Sequence, residues 1–157
     1  MAYQPGSVTA LITHLESSGF RLVSESRGGM GGVQLIYTGA FDEVPATVEI
    51  NADRGLWQAL LKFDDMGRFT TAPVLTAYLD GTDVVDSDID FEVAFIRERG
   101  AEAATAYRQD PDAARRITEI GRAHMARVRK ELRKEFGAPS VRDLQQGHDD
   151  TIGLGRR

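Results

Sequence analysis

The residues best suited to chemistry in this chain are acids, of which six occur between residues 80 and 92 without a single basic residue. Within this run, segment 86–90 reads Asp-Ser-Asp-Ile-Asp, which resembles the start of a calcium-binding loop. Such a loop requires Gly at its sixth position and Glu at its twelfth, where this chain has Phe91 and Arg97. We therefore predict no metal site in this segment. For the chain as a whole, the sequence predicts no metal, no cofactor and no catalytic residue.

The same acids are well placed to bind a partner. We expect them on a loop that leads into a helix, where the positive end of the helix dipole favours negative charge. Solvent-exposed carboxylates of this kind attract a basic protein surface and speed its association. The predicted partner-binding residues are Asp83, Asp86, Asp88 and Asp90.

A strongly basic helix is predicted over residues 111–136. At 100° per residue, one flank of this helix carries Arg115, Arg122, Arg129 and Arg133. A basic flank of this kind can bind nucleic acid. However, no aromatic residues are interleaved with the arginines to stack on bases, and the net charge of the whole chain is −5. Nucleic-acid binding is therefore the alternative to protein binding.

The chain lacks the residues that characterise several classes of enzyme. The chain has no Cys, which excludes thiolate nucleophiles and cysteine zinc sites. Its histidines, at positions 14, 124 and 148, show no metal-ligand spacing. The glycine-rich segment 28–32 precedes an alternating strand pattern rather than a helix, so it is predicted to be a hairpin loop instead of a phosphate cradle. A small-ligand protein or enzyme with a pocket between sheet and helices remains a further alternative.

Size and charge place limits on the organisation of the chain. Residues 1–100 have fifteen acids and seven bases, whereas residues 101–157 have nine acids and twelve bases. The length of 157 residues favours one domain, predicted over 1–139, followed by a loose polar tail over 140–157.

No signal peptide or membrane-spanning stretch is visible in the sequence, so we expect a cytoplasmic protein with no membrane partner.

The element that organises the rest is a hairpin predicted over residues 44–63. Apolar residues alternate with polar ones on both sides of the turn at Arg54-Gly55, which is typical of strands with one buried face. Trp57 belongs to the predicted buried face. A helix that begins at Ser7, as its N-cap, precedes a first strand over 20–26.

The second half of the chain is predicted to be mainly helical. Residues 71–80 favour a short helix, because Thr71 can cap it and Gly81 can end it, but their alternation leaves a fifth strand open. Ser87 with Asp90 has the form of a capping box for the next helix. The fold class is α+β: an N-terminal helix, an antiparallel meander of four or five strands, then a short helix and a C-terminal helical hairpin on one sheet face.

This plan resembles two groups of bacterial proteins. The first eighty residues are similar in order to type III secretion chaperone-like domains, which place a helix before a meander and present the sheet to partner peptides. The whole chain, acidic and free of cysteine, is similar to small immunity-type proteins of toxin systems. Both resemblances imply a non-enzymatic protein-binding protein, and we expect it to use its acidic surface.

Overall fold

A computed structural model of the protein describes residues 3–137, apart from the side chain of Met30. These residues form two compact units that divide after Gly121. The domain boundary predicted at residue 139 and the tail predicted over 140–157 lie outside the described residues and stay predictions. No helix in the described part of the chain combines the length and the apolar character needed to cross a membrane.

The first unit is an α+β structure, as the sequence predicts. Its elements are α1 (Gly6–Ser17), β1 (Arg21–Arg27), β2 (Val33–Phe41), β3 (Val44–Asp53), β4 (Leu56–Phe63), β5 (Thr70–Thr71), α2 (Ala72–Asp80) and α3 (Ile89–Gln109). Helix α4 (Ala113–Phe136) begins in this unit and ends in the second. The strands form one antiparallel sheet in chain order, so the predicted meander is confirmed.

The predicted central hairpin consists of β3 and β4. Arg54 and Gly55 form its turn with φ of 53° and 81°, which matches the twist of the two strands. The inner face of the hairpin packs beneath α3. The side chains of this face with no exposed surface are Val48, Ile50, Ala59, Leu61 and Phe63. The hairpin therefore supplies the centre of the hydrophobic core.

Trp57 lies on the inner face but is only half-buried, because it is near the open end of β4. Its indole Nε1–H donates a hydrogen bond of 3.1 Å to the carbonyl of Tyr3. The face predicted for Trp57 is thus correct, whereas full burial beneath the helices is not observed.

The two edges of the sheet differ. Strand β1 is exposed along its whole length, and its pairing with β2 is irregular between Leu22 and Ser24. A single 3₁₀ turn, Gly29–Gly31, joins these strands, which confirms the predicted hairpin loop. At the other edge, β5 has only two residues and pairs with Leu60 and Leu61. Bulges and very short edge strands are both features that hinder pairing with another chain.

The sheet edge formed by β5 explains why residues 71–80 fit both a short helix and a fifth strand. Thr71 ends the short strand and also caps α2, since its hydroxyl accepts from the N–H of Val74 at 3.4 Å. Gly81 ends α2 with φ of 68°, in the left-handed region that glycine adopts without strain. The helix is confirmed, and the fifth strand is the two residues before it.

Two predicted caps are wrong. The N-cap of helix α1 is Pro5, two residues before the predicted Ser7, and the Ser7 hydroxyl has no hydrogen-bond partner within the described residues. Helix α3 is capped by Asp88 rather than Ser87, because the Asp88 carboxylate accepts from the N–H of Phe91 at 2.9 Å. A carboxylate is an equally good cap and adds a favourable charge at the helix N-terminus.

Gly100 is where α3 comes closest to the sheet, and the helix is continuous through it. A Cβ atom at Gly100 would lie 2.8 Å from the Phe41 ring. That ring also packs at 5.0 Å from Phe20 and 6.3 Å from Phe63, centroid to centroid. Glycine is therefore required here by close packing, not by a bend in the helix.

We expect Gly100→Ala to lower the free energy of unfolding by about 1–2 kcal/mol, because overpacking against Phe41 exceeds the gain in helix propensity. Gly121→Ala is the matched control, since no described atom lies within 4 Å of its added Cβ apart from its chain neighbours and the helix's own backbone. That variant should gain up to ~1 kcal/mol. Urea denaturation measures both changes, and a gain at both positions would contradict the packing described for α3.

Candidate functional site

The predicted partner-binding acids lie where the chain passes from α2 to α3. Residues 82–88 form an irregular connection, and residue 90 is in the first turn of α3. The side chains of Asp83, Asp86, Asp88 and Asp90 are all exposed. We call residues 83–91 the acidic segment.

At the start of the acidic run, Asp80 is occupied by a contact inside the fold. Arg99 donates two hydrogen bonds to its carboxylate, at 2.7 and 2.9 Å, and also binds Glu102 at 2.9 Å. The Arg99 guanidinium holds the pKa of Asp80 below its usual range. This forked contact joins the end of α2 to α3, so the Asp80 carboxylate already has a cationic partner.

At the end of the run, the Glu92 carboxylate is also occupied, by a buried backbone N–H and a partly buried hydroxyl. Its Oε1 accepts from the backbone N–H of Ala59 at 2.7 Å, and its Oε2 accepts from the Ser87 hydroxyl at 3.2 Å. Burial raises the pKa of Glu92, the two hydrogen bonds lower it, and the nearby Asp88 charge raises it again, with a net increase. Glu92 is only 8% exposed.

The contact between Glu92 and Ala59 completes an edge of the sheet. Strand β5 pairs with Leu60 and Leu61 and does not reach Ala59. The Glu92 carboxylate takes the place of a strand carbonyl there and gives a buried N–H its acceptor. Because Glu92 also binds Ser87, it ties the acidic segment to β4.

Between these two acids lie four exposed carboxylates, and one of them, Asp88, also accepts from the N–H of Phe91 as the cap of α3. Within residues 3–121, none of the four makes an ion pair with a basic side chain. Two apolar side chains of the same segment face solvent: Val85 is 72% exposed and Phe91 is 43% exposed. The acidic segment thus offers negative charge and apolar surface together.

The predicted basic flank of α4 is divided between the two units. In the first unit, Arg115 pairs with Glu119 at 2.9 Å and with Asp112 at 3.5 Å. In the second unit, the side chains of Arg122, Arg129 and Arg133 are exposed. The apolar stripe of the helix is buried at Ala113 and Ile117 only. In the second unit, the apolar side chains of Leu132 and Phe136 are 48% and 76% exposed.

The start of α4 has a different role, which is to hold helices together within the first unit. Asp110 accepts from the Tyr78 hydroxyl at 2.8 Å and from Arg116 at 2.7 Å. The Arg116 guanidinium lies 5.3 Å above the Tyr78 ring. Burial and the Asp110 carboxylate together raise the pKa of Tyr78 to about 12. These groups bind one another, so they are structural.

One groove of the first unit is large enough to hold a small molecule. It has a volume of about 400 Å³ and lies between the β2–β3 turn, the β4–β5 loop and the α3–α4 junction. Two of its polar side chains already have partners, since Tyr107 donates to Asp65 at 2.7 Å and Arg108 donates to the Asp42 carbonyl at 3.1 Å. In the described part of the chain, no three His, Cys, Asp or Glu side chains are grouped to hold a metal ion.

A second groove, of about 340 Å³, is bordered by Ser7, His14, Asp90 and Arg97 among other residues. Ser7 and His14 are seven residues apart on α1, which separates them by about 10 Å along the helix axis. They cannot form a nucleophile and its base, which must be within hydrogen-bond reach. The second groove therefore holds no nucleophile and base pair formed by Ser7 and His14.

Comparisons with protein-family models, with curated proteins and with solved structures give no match to this chain.

Replacing Glu92 distinguishes its hydrogen bonds from its charge. Glu92→Ala leaves the buried Ala59 N–H without an acceptor, so we expect a loss of about 1–3 kcal/mol in the free energy of unfolding. Glu92→Gln keeps a carbonyl acceptor for Ala59 and removes the buried charge, so the loss should be much smaller.

The pH dependence of stability tests the same contact. Because the pKa of Glu92 is raised by folding, the folded protein binds this proton more readily than the unfolded chain. The contribution of Glu92 to stability therefore increases as the pH falls from neutral through its folded pKa. Urea denaturation of the wild type and Glu92→Gln at several pH values should show this increase in the wild type only. Parallel curves for the two proteins would contradict the assignment.

Proposed function

We propose that this chain is a non-enzymatic protein-binding protein and that its acidic segment binds a basic protein surface. The observation that carries the proposal is the contrast within one run of six acids. Asp80 and Glu92 are held by the fold, whereas the four acids between them are exposed and without ion pairs within residues 3–121. Repulsion among these four is relieved when a cationic surface approaches.

The apolar side chains of the segment add to this proposal. Interfaces require apolar surface at their centre, with charged groups around it that set orientation and association rate. Val85 and Phe91 provide exposed apolar surface among the acids. A partner with basic residues around an apolar patch would match both features.

Of the two resemblances, the immunity-type one agrees better with this use of the acidic segment. A chaperone-like protein would present the outer face of the sheet. On that face, Glu49 accepts hydrogen bonds from Gln34 at 3.1 Å and Asn51 at 2.8 Å. These polar groups are therefore already paired, whereas the side chains of Asp83, Asp86 and Asp90 have no such partner within residues 3–121.

Site-specific photocrosslinking in native cell extract is the first test. A photoreactive amino acid at Val85 should capture a basic protein, and the same amino acid at Gln58, which is exposed on β4, should not capture it. Capture of the same protein with equal yield from both positions would contradict a role for the acidic segment.

Association kinetics with the captured, purified protein give the second test. Asp83→Lys with Asp86→Lys should slow association by about tenfold or more and weaken its dependence on salt. Asp88 is left unchanged, because loss of this cap would cost about 0.5–2 kcal/mol of stability and confuse the result.

The matched control is Glu16→Lys with Asp53→Lys, which makes the same charge change at two exposed acids outside the segment. It should slow association far less. Both double variants should keep stability within about 0.5 kcal/mol of the wild type, as is usual for surface changes. Equal slowing by the two double variants would show a general charge effect and reject the proposal.

A further inference from the structure

The second unit contains an amphipathic helical segment that has an exposed apolar stripe. Within Arg122–Phe136, side chains at spacings of three and four residues lie on one side of α4: Met125, Val128, Leu132 and Phe136. Met125 and Leu132 are each 48% exposed, and Phe136 is 76% exposed. We call residues 122–136 the basic segment. A continuous exposed stripe of this kind marks an interaction surface.

Charge defines which partner this segment can take. Residues 122–136 include six basic residues and two acids, a net charge of +4. The arginines Arg122, Arg129 and Arg133 lie along one flank of the stripe and are exposed. The partner must therefore combine apolar surface with negative charge.

The acidic segment of this same chain has that chemistry. It has four exposed acids and no base, and it carries exposed Val85 and Phe91. We propose that the basic segment of one copy docks on the acidic segment of a second copy, and the reverse. Two reciprocal contacts of this kind close a two-fold dimer.

A second copy fits this surface better than other anionic partners. DNA offers phosphates but no apolar surface comparable to Val85 and Phe91 for the exposed stripe of the helix. An anionic membrane would accept the stripe, but it would repel residues 1–100, whose fifteen acids exceed their seven bases. A second copy provides both the negative charge and the apolar side chains.

This inference rests on the proposed function in one respect, because it uses the same acidic segment. The dimer would cover that segment until an external basic partner displaces it. The external partner should therefore dissociate the dimer as it binds.

A charge exchange tests the dimer. The first variant is Asp83→Lys with Asp86→Lys, which makes the acidic segment positive at its first two acids. The second variant is Arg129→Glu with Arg133→Glu, which reverses two positions of the basic segment. Either variant alone brings the net charge of its altered segment to zero and places like charges opposite one another at the exchanged positions.

Sedimentation velocity should show a dimer for the wild type and a monomer for each variant alone. An equimolar mixture should form a heterodimer, because both reciprocal contacts then have opposite charges again. Its dissociation constant should be within about tenfold of the wild-type value, since the same pairs are formed with reversed sign. Circular dichroism should confirm that the helices are intact in every variant.

Two matched variants complete the test. Glu16→Lys with Asp53→Lys should remain dimeric, because these acids lie outside the acidic segment. Leu132→Gln should weaken the dimer by about tenfold or more, since it removes apolar contact from the stripe. A dimer that is unaffected by Leu132→Gln would show that the stripe does not contribute and would reject the docking surface.

Other results would overturn the inference outright. These are a wild-type protein that stays monomeric up to millimolar concentration, or two charge variants that do not associate when mixed. Binding of the monomer to duplex DNA or to anionic vesicles, lost in Arg129→Glu with Arg133→Glu, would assign the basic segment to that partner instead.

Failure of this inference and failure of the proposed function give different results. If the wild type is monomeric but Val85 still crosslinks a basic protein, only the dimer is rejected. If the charge exchange restores a dimer but no external protein is captured from Val85, the external partner is rejected and the dimer stands.

Discussion

Burial of the inner face of the β3–β4 hairpin beneath α3 determines where the other parts of the first unit lie. The register pairs Val48 with Leu61 and Ile50 with Ala59, so that fully buried side chains face each other across the two strands. A slip of one residue would turn this whole face outward, so the register is strongly fixed. Helix α3 then approaches closely enough that only glycine fits at position 100. With α3 fixed in this way, its first turn lies beside the edge of β4, and Glu92 reaches the N–H of Ala59.

This geometry explains why one run of acids has two different environments. The acids at its ends point back to groups of the fold, namely Arg99 and the edge of β4. The acids between them lie on the connection and the first helical turn, which face solvent. The dipole of α3 stabilises Asp88 and Asp90, since they are at its N-terminus. Asp83 and Asp86 have no comparable partner within residues 3–121, which makes them the most informative positions for testing a binding role.

The parts of the fold that could be predicted from the sequence are those that depend on neighbouring residues. Alternation identified the central hairpin, and Arg54-Gly55 identified its turn. Thr71 and Gly81 correctly marked the two ends of α2. Glu92 was missed as an anchor because its acceptor role depends on Ala59, which is thirty-three residues away. The role of Gly100 was equally hidden, since the Phe41 ring that requires glycine belongs to a different element. The exposure of the four acids agrees with the expectation from their position, but their use in binding stays a prediction.

The apolar stripe of α4 shows a further reason why sequence patterns have limits. Helical periodicity indicates that one side of a helix is apolar, but it does not indicate which molecule covers that side. In this chain, Ile117 is buried within the first unit, whereas Leu132 is half exposed in the second. Two exposed surfaces of opposite charge in one chain have a thermodynamic consequence. If copies of the chain bind each other through these two surfaces, an external basic partner must compete with the basic segment of another copy. That basic segment is always present at the same concentration as the acidic segment that the partner binds. The apparent affinity of the partner is its intrinsic affinity multiplied by the fraction of acidic segments that are free. Occupancy by the partner would then depend on the concentration of the protein itself as well as on the partner's own affinity.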